Sequence, residues 1–277
     1  MALFDLTRLH LPYGARFEWL ESSASTNSEL ISKAQAEPAA WQHFSVLATD
    51  FQTAGRGRAG RTWQAPQGTS LAISVLLRPN LQAAANLNHL GWLPLLAGLA
   101  MSEAVNLALG EQVLGEAGKA KVKWPNDVLV NEKKITGVLS ELLPDFSGVV
   151  LGAGLNVSLT TEQLPVPTAT SLLIEKAELN FDSPQLFDQL LSSYLERLNF
   201  WYQRFANSNF DANKSGLRQA AIAACVSLGQ EVRAILPGDT EILGSAITID
   251  DTGRLVIEAN SEVVTVAAGD IVHLRHN

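Results

Sequence analysis

The sequence predicts an α+β protein: a large unit of mixed strands and helices, followed by a small all-β unit. Three observations predict it. Apolar runs of strand length, Ser70–Leu77 and Val149–Val157, lie among helix-like stretches, Trp92–Leu109 and the segment after Ser183-Pro184. From Val226 onward short β-rich runs alternate with turns. Between the strand-like runs Ser45–Ala48 and Ser70–Leu77, the segment Gln52 to Trp63 holds three glycines and three arginines, a density unsuited to a helix or a central strand.

The bulk numbers set bounds. A length of 277 residues suits one large domain plus a small one, and 47% hydrophobic with 17% charged residues is a globular composition. A net charge of −8 argues against general affinity for DNA or an anionic membrane, so any positive site must be local. The single cysteine, Cys225, excludes an intrachain disulfide and reads as a small buried apolar residue in a reducing cytoplasm. The five histidines show no ligand spacing, so no zinc site is expected. The first residues lack a secretory pattern, and the longest apolar run, Gly91 to Met101, contains Pro94 and is about half a bilayer span. A cytoplasmic protein is expected.

In chain order, residues 1–24 are too few for an independent domain. Ser25-Thr26-Asn27 then leads a helix, with Thr26 and Glu29 at capping-box spacing; hydroxyls and free N–H groups there form a polar cradle. The Gln52–Trp63 segment is read as a mobile loop. Ser70–Leu77 is a core strand ended by Arg78-Pro79-Asn80, and Trp92–Leu109 is a buried helix stopped by Gly110. In Lys121–Val130, Pro125 favours an extended Lys123-Trp124, Asn126-Asp127 is a turn, and Val128–Val130 starts a strand. Asn131–Lys134 is a second turn and Ile135–Glu141 the returning strand. Lys134 is either a solvated tip residue or an inward-pointing one. The small residues of Val149–Val157 allow close backbone approach or tight sheet packing. The helix after Ser183-Pro184 buries a stripe from Phe187 to Tyr202, and Leu217–Ala224 is a shorter helix. Runs at Glu231–Leu236, Glu241–Ile249, Arg254–Glu258, Val263–Ala267 and Ile271–Leu274, separated by turns such as Pro237-Gly238, suggest a small barrel. The boundary is placed near residue 224, giving domains 1–224 and 225–277.

The Gln52–Trp63 loop carries the chemistry. Its amides are free to face a ligand, and guanidinium forks at Arg56, Arg58 and Arg61 match carboxylate and phosphate oxygens. An adenine ring fits against Trp63. The loop is read as binding an anion that carries a flat ring. Arg/Gly runs also bind RNA, but this one is short and sits in an acidic chain.

Four motifs resemble those of the biotin protein ligase family: Ser-Thr-Asn (25–27); Gln52 with Gly-Arg-Gly-Arg-x-Gly-Arg-x-Trp (55–63); Lys-Trp-Pro-Asn-Asp (123–127) with Lys134-Ile-x-Gly-Val-Leu-x-Glu141; and Gly-Ala-Gly-Leu-Asn (152–156). The resemblance implies a mixed sheet flanked by helices, like that of class II synthetases, with a C-terminal SH3-like barrel. It implies an enzyme that makes biotinyl-5′-AMP from biotin and ATP with Mg2+, then transfers biotin to a lysine of biotin carboxyl carrier protein. By the same resemblance Ser25, Thr26, Asn27 and Gln52 hold the biotin head group. Arg56, Gly57 and Arg58 close over the carboxylate and phosphate, and Lys134 bridges biotin and the α-phosphate. Trp63 stacks near adenine, while Asn126, Asp127 and Asn156 arrange phosphates, magnesium and nucleotide. Bifunctional members carry a DNA-binding segment before Ser-Thr-Asn; with only 24 residues there, no repressor role and no DNA partner are expected, and a homodimer is left open. The rival readings are a lipoate-type ligase or octanoyltransferase and a non-catalytic biotin sensor.

Overall fold

Alternation along two neighbouring strands decides which way the main sheet faces. The computed structural model describes residues 11–79, 89–111, 118–181, 183–236, 240–267 and 269–274, without the side chains of Tyr13 and Pro184. Strand β5 (Ser70–Leu77) pairs antiparallel with β9 (Val149–Asn156), with Ser74 opposite Gly152 and Ala72 opposite Gly154. Successive side chains on a strand point to opposite faces. On one face Leu71, Ile73, Val75, Leu151, Ala153 and Leu155 join the main core. On the other, Leu76 and Val150 pack in a smaller cluster with Leu30 and Trp41, and the remaining positions are small or polar.

These strands are the centre of a seven-stranded sheet ordered β1-β2-β5-β9-β8-β7-β6, in which only the β1–β2 pair is parallel. The other members are β1 (Phe17–Trp19), β2 (Val46–Thr49), β6 (Ala120–Lys123), β7 (Asp127–Val130) and β8 (Lys133–Leu142). Helix α1 (Thr26–Ala36) lies against β2, β5 and β9 on the small-residue side. The apolar helix α2 (Trp92–Leu109) covers the opposite face, and α4 (Pro184–Asn207) packs outside it; the short α3 (Leu172–Glu175) precedes α4. Among the described residues only α2 is long and apolar enough to cross a membrane, and it is mostly buried in this core. Gly110 ends α2 in the left-handed region at φ 80°, where glycine is favoured. Ser183 caps α4 by accepting the Gln185 N–H, and the predicted stripe from Phe187 to Tyr202 is buried.

After α5 (Leu217–Ala224), Cys225 is buried, and Val226 N–H bonds to the Val122 carbonyl of β6. The strands β10 (Glu231–Ile235), β11 (Glu241–Ile249), β12 (Leu255–Ala259), β13 (Glu262–Val266) and β14 (Asp270–His273) form an antiparallel sheet ordered β13-β12-β11-β10-β14. Its edge strands β13 and β14 do not pair, so the predicted barrel is an open sheet among the described residues. The predicted turn Pro237-Gly238 and the stop at Asn80 lie outside those residues.

Two local expectations need correction. The predicted capping box does not form: Ser25 is the N-cap, without a side-chain cap bond, and Thr26 is the first helical residue. Its hydroxyl bonds to Gln52 and Ser74, while Glu29 takes the Ser23 hydroxyl and Lys33. Tertiary partners have claimed both side chains. The second turn is tighter than predicted, because Asn131 and Glu132 both adopt left-handed φ angles (49° and 63°) and Lys133 already pairs with Val130.

His43 offers a pH-dependent check of the packing. Its Nδ1 accepts the Arg78 backbone N–H at 3.0 Å and its ring lies 5.0 Å from that of Tyr202. Burial, and then the Arg78 charge, lower its pKa from 6.5 to about 4. The unfolded chain therefore takes up this proton at higher pH than the folded one, and the stability this site contributes is lost as pH falls from about 6.5 towards about 4. In urea unfolding, the stability gap between wild type and His43→Gln is expected to narrow across that window; a constant gap contradicts a neutral half-buried ring.

Candidate active site

The small-residue face of the sheet is the floor of a cleft of about 1760 Å³ that reaches from Ser25 to Leu274 and includes residues of the second sheet. Its floor exists because side chains are missing. Ala72, Gly154, Gly137 and Asp127 are successive cross-strand partners on β5, β9, β8 and β7. A Cβ on Gly154 would fall 2.5 Å from the Trp63 indole, and one on Gly152 would fall 2.2 Å from Asn27 Oδ1. The predicted glycine strand is thus a surface on which two site residues lie, as well as a packed strand.

One end of the cleft is a hydrogen-bonding pocket at the start of α1. Thr26 donates its backbone N–H to Gln52 Oε1 at 2.9 Å, and its hydroxyl lies 3.2 Å from the same atom. Asn27 donates through Nδ2 to the Leu139 carbonyl at 3.1 Å and to Glu141 Oε2 at 2.8 Å, while the Ser74 hydroxyl donates to its Oδ1 at 2.6 Å. Ser25, Thr26 and Asn27 are all buried.

The other end is cationic. Lys134 Nζ stands 2.7 Å from Asp127 Oδ1 and over Gly137, where an added Cβ would lie 3.0 Å from it. It therefore points into the cleft, which settles the choice the sequence left open. Asn126 donates to the Val138 carbonyl at 2.6 Å, and its Oδ1 accepts Arg58 Nη1 at 2.8 Å. Asn156 lines the cleft and donates to the Thr170 carbonyl at 2.9 Å. Burial lowers the pKa of Lys123, and Lys134 and Arg61 push the same way against Asp127 and Asp270. Burial likewise lowers that of Arg58, opposed by Asp270 and Asp127. Cations gathered this closely in a half-buried cleft, and only partly offset by Asp127 and Asp270, suit a negatively charged ligand.

The arginine loop is folded as a ribbon over this cleft. Two-residue strands β3 (Gly55–Arg56) and β4 (Thr62–Trp63) pair, and a turn at Arg58–Gly60 joins them, with Gly60 at φ 72°. Arg56 Nη2 bonds to Glu141 Oε1 and Oε2 at 2.8 and 2.9 Å, so its guanidinium faces a protein carboxylate. Arg58 also donates to the Gly269 carbonyl at 3.3 Å, and Arg61 Nη2 pairs with both oxygens of Asp270 at 2.7 and 2.9 Å. The ribbon thus bridges the two sheets.

All the site residues named from sequence line this one cleft: Ser25, Thr26, Asn27, Gln52, Arg56, Gly57, Arg58, Trp63, Asn126, Asp127, Lys134 and Asn156. Ser74, Glu141 and Asp270 join the site's hydrogen bonds although no sequence motif assigns them a role. The alternation of small and large residues on β5 points to Ser74; Asp270 carries no local signal at all.

Comparison with known proteins agrees with this geometry. Residues 19–156 match the model of the biotin/lipoate A/B protein ligase family, and residues 227–274 match that of the biotin protein ligase C-terminal domain. The chain is 36% identical to a biotin–[acetyl-CoA-carboxylase] ligase of Mycobacterium tuberculosis, over 91% of this chain and 87% of that one. It is 32% identical to the ligase of the same name from Paracoccus denitrificans, over 91% and 98% of the two chains. The structure of Aquifex aeolicus biotin protein ligase in complex with biotin and ATP superimposes with a TM-score of 0.71 at 26% identity, covering 94% of this chain and 99% of that one. With one cleft uniting a hydrogen-bonding pocket, a cationic end and an arginine ribbon, and with these relatives matching nearly its full length, the chain belongs to the biotin protein ligase family.

Proposed function

We propose that the two ends of the cleft divide the work of an ATP-dependent biotin protein ligase, the biotin head group lying at the Asn27 end and ATP at the Lys134 end. In this reaction a biotin carboxylate oxygen attacks the α-phosphorus of ATP, and the bond to the β-phosphate breaks to release pyrophosphate. A lysine amine of biotin carboxyl carrier protein then attacks the acyl carbon of biotinyl-5′-AMP, and AMP leaves. A free carboxylate with a pKa of ~4 is already ionised at neutral pH, so the first step needs no general base. What opposes it is repulsion between two anions.

The observation that carries this reading is Lys134 Nζ, fixed by Asp127 over the bare backbone of Gly137, with Lys123 and Arg58 nearby. Such a preorganised cation stabilises charge as it builds on the α-phosphate. Thr26, Asn27, Ser25 and Gln52 supply hydrogen bonds for the ureido edge, and Arg58 lies over the reacting groups; the Gly57 N–H, expected from the sequence to be free for a ligand, is instead donated to the Arg61 carbonyl at 2.6 Å and closes the ribbon turn. Trp63 offers a face to adenine, and Asn126 and Asn156 orient the nucleotide. Asp127, whose Oδ1 takes Lys134, is a single carboxylate at this end of the cleft, and magnesium is usually held by one or two carboxylates together with substrate phosphates. Asp127 would hold that ion, whose charge offsets that of the phosphates when bound.

The ribbon's second task is to exclude water, because an acyl adenylate is a mixed anhydride that hydrolyses readily. An acidic chain whose cations converge inside a cleft suits a protein partner in the cytoplasm and no DNA partner. Incubation with ATP and labelled biotin or lipoate separates this reading from a lipoate ligase, which would label with lipoate instead. A biotin sensor would bind the vitamin without releasing pyrophosphate.

Two variants test the assignment. Lys134→Ala is expected to slow biotin-dependent pyrophosphate release by about a hundredfold to a thousandfold, the usual range for losing one oriented charge-stabilising donor. A rate within a few-fold of wild type contradicts the role given to Lys134. Arg58→Gly is expected to keep making adenylate but to lose it to solution, measured as free biotinyl-5′-AMP after rapid filtration; no more release than wild type contradicts the lid.

A further inference from the structure

We propose that Glu141 is a positioning residue that couples head-group recognition to closure of the arginine ribbon, an inference that rests on the biotin reading of the cleft. A carboxylate beside a cleft that gathers anions is unfavourable unless protein groups occupy its lone pairs. Those of Glu141 are occupied from two sides. Asn27 Nδ2 donates to its Oε2 at 2.8 Å, and Arg56 Nη2 donates to both oxygens at 2.8 and 2.9 Å.

The first contact fixes the sense of the Asn27 amide. Its NH2 group has two hydrogens, and these go to the Leu139 carbonyl and to Glu141, which can only accept. The amide oxygen must therefore face the other way, where Ser74 donates to it at 2.6 Å. One lone pair of that oxygen remains. Asn27 can accept an N–H from a ureido ring but has no hydrogen left to offer a ureido carbonyl. Glu141 thus selects which edge of the ring Asn27 can read.

The second contact fastens the ribbon. Arg56 is in β3, paired through Thr62 with β4, and its ion pair holds the ribbon end nearest the head-group pocket. The Arg61–Asp270 pair holds the ribbon near the other end. With its charge matched by Glu141, Arg56 acts as a latch, and contact with the substrate anions falls to Arg58 and Lys134. This revises the direct anion-binding role that the motif implied for Arg56. One carboxylate therefore sets the Asn27 amide and receives the lid, so that opening the ribbon also leaves the Asn27 partner with an unmatched charge.

The two duties separate by substitution. Glu141→Gln keeps an oxygen for Asn27 but sets an NH2 group against Arg56, whereas Glu141→Ala removes both. In a biotin-dependent pyrophosphate-release assay with adenylate partition measured in parallel, Glu141→Gln is expected to raise adenylate escape about two- to fivefold, the range for a partly exposed ion pair. Arg56→Ala should match it, and the double variant should add nothing further. Glu141→Ala should in addition raise the KM for biotin about tenfold or more, as loss of a charged hydrogen-bond partner implies, with a smaller change in kcat. The proposal is overturned if Glu141→Gln and Arg56→Ala leave escape at the wild-type level, if their effects multiply in the double variant, or if the KM for biotin rises as much in Glu141→Gln as in Glu141→Ala. A wild-type protein that makes no biotinyl-5′-AMP would instead overturn the biotin reading itself, and this proposal with it.

Discussion

A carboxylate and a triphosphate repel each other, and they can react only where positive charge is fixed between them. Two unit charges 4 Å apart interact by about 4 kcal/mol at an effective dielectric near 20, so a few well-placed cations decide whether the encounter happens. In this acidic chain those cations come from two sources. In the proposed reaction Lys134 and, beside it, Lys123 stand on strands of the main sheet, while Arg58 is carried by a ribbon that the Arg61–Asp270 pair fastens to the second sheet. In that proposal rigid strands give position and the ribbon closes over the reactants.

Close seating of the site's own side chains comes from an exception to ordinary sheet packing. Glycine weakens a strand because it contributes no side chain and loses more backbone freedom on folding. Here the loss falls on one face only. The opposite face of β5 and β9 is a continuous apolar surface in the main core, and that core holds the strands while Gly137, Gly152 and Gly154 make room for Lys134, Asn27 and Trp63 on the cleft floor. The hydrophobic core and the binding floor are therefore two sides of the same strands, related by the pleat.

Much of this is legible in the amino-acid sequence. The limits of β5, α2, α5 and β11 follow from apolar periodicity and from breakers such as Gly110, and the motifs bring twelve site residues to one cleft. What is not legible depends on partners far away along the chain. Thr26 and Glu29 have capping-box spacing, but no local pattern shows that Ser74, Gln52 and Ser23 will claim their side chains. The strand β1 is three residues long and pairs in parallel with β2, too short for any period to emerge. Arg56 and Arg61 look equivalent in the loop, yet one faces Glu141 and the other Asp270, 85 and 209 positions away. The small residues of β5 and β9 do carry a signal, the alternation Ser-Leu-Ala-Ile-Ser, which marks one face as core and the other as floor.

The most direct test of charge fixed between two anions is a crystal structure of the chain with biotin and a non-hydrolysable ATP analogue. The account predicts Lys134 Nζ within hydrogen-bond reach of both the biotin carboxylate and the α-phosphate, with residues 55–61 folded over them. A biotin carboxylate out of reach of Lys134, or a ribbon turned away from the bound vitamin and nucleotide, would contradict it.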